Sequence, residues 1–168
     1  MSLTLILMRH AKSAWDDPAL DDFDRPLNGR GRASAPVIGR WLSERGHLPD
    51  EVVVSGARRT VETWSRMAGN LPATATMRSD PVLYHASPET MLGLMKGAAS
   101  PTTMFIGHNP GLAEFAGRLA RAPYPHDRFE DFPTGAVAVM NFDAASWGRV
   151  DWGTAEVVDF AVPRELME

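Results

Sequence analysis

The sequence predicts an α/β fold with a mostly parallel central sheet and an antiparallel edge, a three-layer arrangement. Three observations carry that reading. Short apolar runs suited to strands recur through the first two-thirds of the chain, helical patterns separate them, and the last third reads as strands joined by turns. The 168 residues show no repeat, no low-complexity tract and no linker rich enough to divide them, so a single domain over 1–168 is expected.

The first element is "LTLILM", a run fit for a buried strand over 3–8. Further strands are expected at 51–55, 74–77, 102–107, 136–142 and 156–160. Between the first two, "RASAPVIGRWLSERG" places Val37, Ile38, Trp41 and Leu42 at helical spacing and stops at Gly46. Pro36 must kink that helix or sit in its first turn. "RRTVETWSRMAG" is a second helix. "SPETMLGLMKG" is a third, with Ser87 as N-cap, Pro88 at the first helical position and Glu89 in the first turn. "NPGLAEFAGRLAR" is a fourth. The closing segment, "GAVAVMNFDAASWGRVDWGTAEVVDFAVP", supplies the antiparallel edge.

Composition removes several function classes. There is no cysteine, which excludes disulfides, thiolate metal sites and a cysteine nucleophile. Apolar stretches are too short to span a membrane, and the N-terminus has no secretory pattern, so a cytoplasmic location is the default expectation. A net charge of −4 argues against bulk nucleic-acid binding. Fifteen arginines stand against Lys12 and Lys96. Arginine suits bidentate phosphate recognition, although codon bias accounts for most of such an excess.

Three strand ends share one feature. The first runs into "MRHAKS", the second into "SGARRTVET" and the fourth into "GHNPG", each delivering arginine or histidine at a strand-to-helix junction. In a parallel sheet these junctions lie on one edge, where ligands bind, and the helix N-termini there add partial positive charge. Such a site suits a phosphoryl group. Arginine forks neutralise its charge, a neutral imidazole attacks phosphorus to form a phosphoramidate, and a second, charged histidine stabilises the equatorial oxygens. The arginines supply the positive charge, so no metal or other cofactor is required. No pair of histidines has metal-ligand spacing on one helix.

These residues resemble a known family. "LMRHAKS" is similar to the RH(G/A) signature of the histidine phosphatase superfamily, whose fold is phosphoglycerate mutase-like. "SGARRTVET" resembles its S-x-x-x-R-x-x-x-T segment, and "GHNPG" its second catalytic histidine. "RPLNGRGRASA" is similar to a stretch of the small SixA-type phosphohistidine phosphatases. The resemblance implies that His10 is the nucleophile, that Arg9 and Arg59 bind the phosphate, and that His108 completes the pocket. Arg58 falls outside the motif frame and reads as a rim charge. Arg25, Arg30 and Arg32 follow the catalytic loop and are expected to flank the pocket mouth and steer a partner.

Phosphoester-cleaving members usually carry a carboxylic acid after the third strand, near "SDPVLYHASPE". Here Asp80 and Glu89 are the nearest carboxylates, neither in an acid motif, and His85 is a candidate pocket residue. SixA-type enzymes are similar in lacking that acid, which fits an imidazole leaving group. His47 reads as a solvated residue after a helix end, His126 as part of a loop, and the tryptophans as core and turn packing. The expected function is a metal-independent phosphatase acting on phosphohistidine in a signalling phosphotransfer protein. Two alternatives stand beside it: a phosphatase of small phosphoesters or phosphoramidates, and a non-catalytic phosphate-binding module.

Overall fold

Strand β1 (Ser2–Arg9) sits inside a six-stranded sheet of order β3-β2-β4-β1-β5-β6. The other strands are β2 (Glu51–Val54), β3 (Thr76–Ser79), β4 (Thr102–Gly107), β5 (Val137–Asp143) and β6 (Glu156–Ala161) in this computed structural model, which describes residues 2–167. The first four strands pair parallel, and β5 and β6 add antiparallel neighbours beyond β1.

Alternation along each central strand explains the layers, since successive side chains point to opposite faces. Leu3, Leu5 and Leu7 of β1 join Val53 and Phe105 on one face. That face packs under helices α3 (Pro88–Lys96) and α4 (Gly111–Leu119) through Met91, Met95, Leu112 and Phe115. Ile6 and Met8 join Val52, Val54, Met104 and Ile106 on the other face. There α1 (Gly29–Glu44) and α2 (Arg58–Met67) contribute Ile38, Leu42, Trp64 and Met67. Burying each such side chain contributes about 1.5–3 kcal/mol, so a slip of β1 by one residue would exchange both faces at once. A short C-terminal helix, α5 (Pro163–Leu166), follows β6.

The expected strands are all present, with small shifts. Edge strand β3 starts two residues later than expected, because Ala75 closes a turn onto the Pro72 carbonyl at 3.1 Å. Helix α1 starts three residues early, at Gly29, where the Asn28 side chain accepts from the Gly31 amide at 2.9 Å. Pro36 therefore lies within the helix rather than in its first turn. Ser87 caps α3 as expected, accepting from the Thr90 amide at 3.2 Å. His47 is not solvated: its Nε2 lies 2.9 Å from Asp159 Oδ2 and its ring packs beside Trp41. Trp15 is neither core nor turn packing, being 77% exposed with its ring over the Arg25 guanidinium. Among the described residues no helix is long and apolar enough to cross a membrane.

Candidate active site

Strand register builds the site. Arg9 of β1 pairs with Gly107 of β4, so the next residues, His10 and His108, emerge side by side with ring centroids 5.3 Å apart. Val54 of β2 pairs with Ile106, which places Ser55 beside them. Both histidines are buried, at 5% and 4% exposure.

His10 Nδ1 lies 2.7 Å from the Ala11 carbonyl. A carbonyl only accepts, so Nδ1 carries the hydrogen and Nε2 keeps its lone pair. Burial lowers the His10 pKa to about 3; Arg59, Arg9 and Arg25 lower it too, against the Ala11 hydrogen bond. His108 has the opposite tautomer. Its Nδ1 sits 3.3 Å from Arg59, which only donates, so Nε2 carries the hydrogen and donates to Ser55 Oγ at 2.7 Å. Burial first, then His10 and Arg59, lower its pKa to about 3. The second histidine, expected to be charged, is therefore neutral in the free site.

Each residue of the S-x-x-x-R-x-x-x-T segment has a task. Ser55 accepts from His108, Arg59 reaches into the site, and Thr63 Oγ1 accepts from the Ala11 amide at 3.0 Å while donating to the Arg59 carbonyl at 2.7 Å. Arg59 is 2% exposed, whereas Arg58 projects outward and pairs with Glu62 at 3.3 Å. Arg9 donates to the Phe132 carbonyl at 3.4 Å. Burial, then Arg59, lowers the Arg9 pKa. Arg9 Nε and Arg59 Nε are both buried without an acceptor.

Asp22 is the functional residue that sequence reasoning missed. It lies in a 3-10 turn (Asp22–Asp24) and gathers four side chains. Oδ2 accepts from Tyr84 OH at 2.6 Å and Arg59 at 3.0 Å, with His85 Nε2 at 3.3 Å, while Oδ1 accepts from Arg25 at 3.0 Å. Burial opposes its charge, but hydrogen bonds from Tyr84, Arg25 and Arg59 hold its carboxyl well below the usual range. Its only sequence signal was the i,i+3 spacing to Arg25.

Arg25 does not flank the mouth as a free charge. It is 7% exposed, held by Asp22, by Ser13 Oγ at 2.8 Å and by the Ala14 carbonyl at 3.2 Å. The rest of "RPLNGRG" seats α1 against the catalytic loop. Asn28 donates its backbone N–H to the Lys12 carbonyl at 3.0 Å, and a Cβ on Gly31 would lie 2.1 Å from that oxygen. Arg30 is exposed and borders a cleft of about 250 Å³ with Lys12, Arg128 and Arg164, while Arg32 turns to the Leu27 carbonyl at 3.0 Å.

The loop after β3 brings one of its three candidates to the site. Asp80 caps the Val82 amide and pairs with Arg78; these bonds keep its pKa low. Glu89 is exposed and bound to Arg118, which lowers its pKa. His85 reaches the pocket, its ring centroid 5.5 Å from that of His108 and 4.1 Å from that of Tyr84. His126 stays remote, paired with Glu165 at 2.6 Å. Among the described residues no group of three His, Cys, Asp or Glu side chains is placed to hold a metal ion.

Comparison with known proteins agrees with this geometry. Residues 5–95 match the family model described as the histidine phosphatase superfamily, branch 1. The chain belongs to that superfamily. An uncharacterized protein of Mycobacterium tuberculosis is 37% identical over 94% of this chain and all of its own length. A Nakamurella multipartitia protein assigned as phosphohistidine phosphatase SixA superposes with a TM-score of 0.81 at 29% identity, covering 97% of each chain. A phosphoglycerate mutase from Plasmodium falciparum, 17% identical, superposes at 0.63 over 95% of this chain and 91% of its own, so the fold is phosphoglycerate mutase-like. Membership in the histidine phosphatase superfamily makes phosphatase the enzyme class of this chain.

The two depressed histidines set a pH dependence of stability for this phosphatase. Between about pH 6.5 and pH 3 the unfolded chain binds protons at His10 and His108 that the native site refuses. Stability is thus full above the unfolded pKa and falls as pH drops through that window. Thermal unfolding should show a lower Tm at pH 5 than at pH 7, with a smaller difference in His108→Gln. An equal or higher Tm at pH 5 would contradict the neutral pair.

Proposed function

We propose that the protein is a phosphohistidine phosphatase that passes the phosphoryl group through His10. The observation that carries this reading is a neutral imidazole, its Nε2 lone pair free, set beside two arginines that each bury a donor without an acceptor. Arg9 and Arg59 hold the phosphoryl oxygens through their guanidinium groups, where a dry site makes charge-assisted bonds strong. His108 gives its Nε2–H to a phosphoryl oxygen in place of Ser55. The arriving dianion favours positive charge beside it, which strengthens the hydrogen bond that the His108 ring donates to it.

His10 Nε2 attacks phosphorus as the bond to the leaving group breaks, and Nδ1–H stays on the Ala11 carbonyl. Water then attacks the phosphorus of phospho-His10, the P–N pair returns to the ring, and phosphate leaves. Asp80 and Glu89 are held ionised by other partners, so neither is a carboxylic acid for an alkoxide with a pKa of roughly 15. An imidazole leaving group makes a much smaller demand. The resemblance to the Nakamurella protein assigned as SixA supports the same substrate class.

The partner is a phosphorylated histidine phosphotransfer domain. Exposed Arg30 and the adjoining Lys12 and Arg128 suit an acidic surface around its phosphohistidine. A panel of phosphorylated phosphotransfer domains run beside phosphoserine and phosphoglycerate tests the reading. The expected kcat/KM for phosphohistidine exceeds that for the alkyl esters by about a hundredfold or more. Equal turnover of the alkyl esters would favour a small-phosphoester phosphatase, and no turnover of any substrate would favour a binding module.

A further inference from the structure

We infer that His85, paired with Asp22, is the proton donor to the leaving group; this rests on the phosphatase reading above. Four observations converge on it. The His85 ring lies beside that of His108, at 5.5 Å between centroids, yet its side chain remains 55% exposed, so it is open to solvent and to a bound substrate rather than sealed in the core. Its Nε2 lies 3.3 Å from Asp22 Oδ2, a carboxylate held ionised by three other side chains. The Tyr84 ring, 4.1 Å away, packs against it and fixes its plane, while the Tyr84 hydroxyl is already given to Asp22. Its backbone stands at φ +53°, a left-handed conformation that is strained for a non-glycine residue. Such strain persists where the surroundings hold a side chain to a task.

The chemistry matches the position. A carboxylate beside an imidazole stabilises its cation and orients the ring. An imidazole can donate a proton in one step and accept one in the next. As His10 Nε2 bonds to phosphorus, the bond to the leaving atom breaks and its electron pair goes to that atom. The His85 imidazolium then supplies the proton, to the oxygen of an ester or to the ring of a phosphohistidine. Neutral His85 next takes a proton from the water that attacks phospho-His10, which restores the starting state. The groups facing His85 are the Asp22 carboxylate, the neutral His108 ring and the Tyr84 ring, whose hydroxyl is given to Asp22. Proton transfer is most efficient between groups of similar pKa, so an imidazolium donor serves an imidazole or a phenol far better than an alkoxide.

The test compares wild type with His85→Asn, which tolerates positive φ and keeps an N–H for Asp22 but cannot ionise. Both are assayed on 4-nitrophenyl phosphate and phenyl phosphate, whose leaving groups have pKa values of about 7 and about 10. The variant should lose a few-fold on the first and about a hundredfold on the second. The alkaline limb of its kcat/KM profile for phenyl phosphate should also disappear. Equal losses on both esters, or no loss, would overturn the assignment of His85 while leaving the phosphatase reading intact. Absence of His10-dependent turnover by wild type would overturn both.

Discussion

His10→Ala should reduce kcat/KM by roughly a thousandfold or more while the protein stays folded, since the proposed mechanism makes its Nε2 the group that attacks phosphorus. Its bonds in the free protein are few: Nδ1 to the adjacent carbonyl, and ring packing against His108. Removing a ring with a single side-chain hydrogen bond leaves the sheet register untouched, because β1 is held by its pairing with β4 and β5. The far-ultraviolet spectrum should be unchanged and the Tm should shift by only a few degrees. Turnover within tenfold of wild type would remove His10 from the nucleophile position.

Arg59→Ala should cost about 3 kcal/mol of transition-state stabilisation, on the order of a hundredfold in rate. Arg59 is buried against His108 and is oriented by both the carbonyl and the carboxylate of Asp22, at 2.6 and 3.0 Å. Arg59→Lys keeps the charge but loses the fork, so it should recover only part of that loss. Arg58→Ala is the internal control. Its exposed i,i+4 pair with Glu62 is worth at most about 1 kcal/mol of stability, and the rate should stay within about threefold of wild type. Equal losses at the two positions would contradict the division of roles between them.

The parallel core and the antiparallel edge were legible in the sequence because the inner strands β1, β2, β4 and β5 are largely buried apolar runs, and because Arg9, His10, Arg59 and His108 stand at strand-to-helix junctions. Local rules read such features well. They failed where a residue's partner lies far along the chain. Asp22 looked like one more solvated acid in "DDFDR", and nothing local tied it to Arg59, Tyr84 and His85. Arg25 looked like a surface charge for the same reason, though burial and the Asp22 carboxylate make it a support of the site. His47 followed a helix end, where solvation is the usual outcome, but a strand more than a hundred residues later brings Asp159 to it. His85 was visible only as a neighbour of the loop that carries an acid in related enzymes, and its left-handed backbone had no sequence mark.

In the proposed mechanism phosphate passes through a nitrogen of this chain. Rapid acid-free quench of a single turnover with phosphohistidine, followed by peptide mapping, measures it directly. The expected species carries one phosphate on His10 Nε2, stable to base and labile to acid, and absent from His10→Ala. A burst of free phosphate with no phosphorylated peptide at any quench time, or phosphate mapped to another residue, would contradict the account.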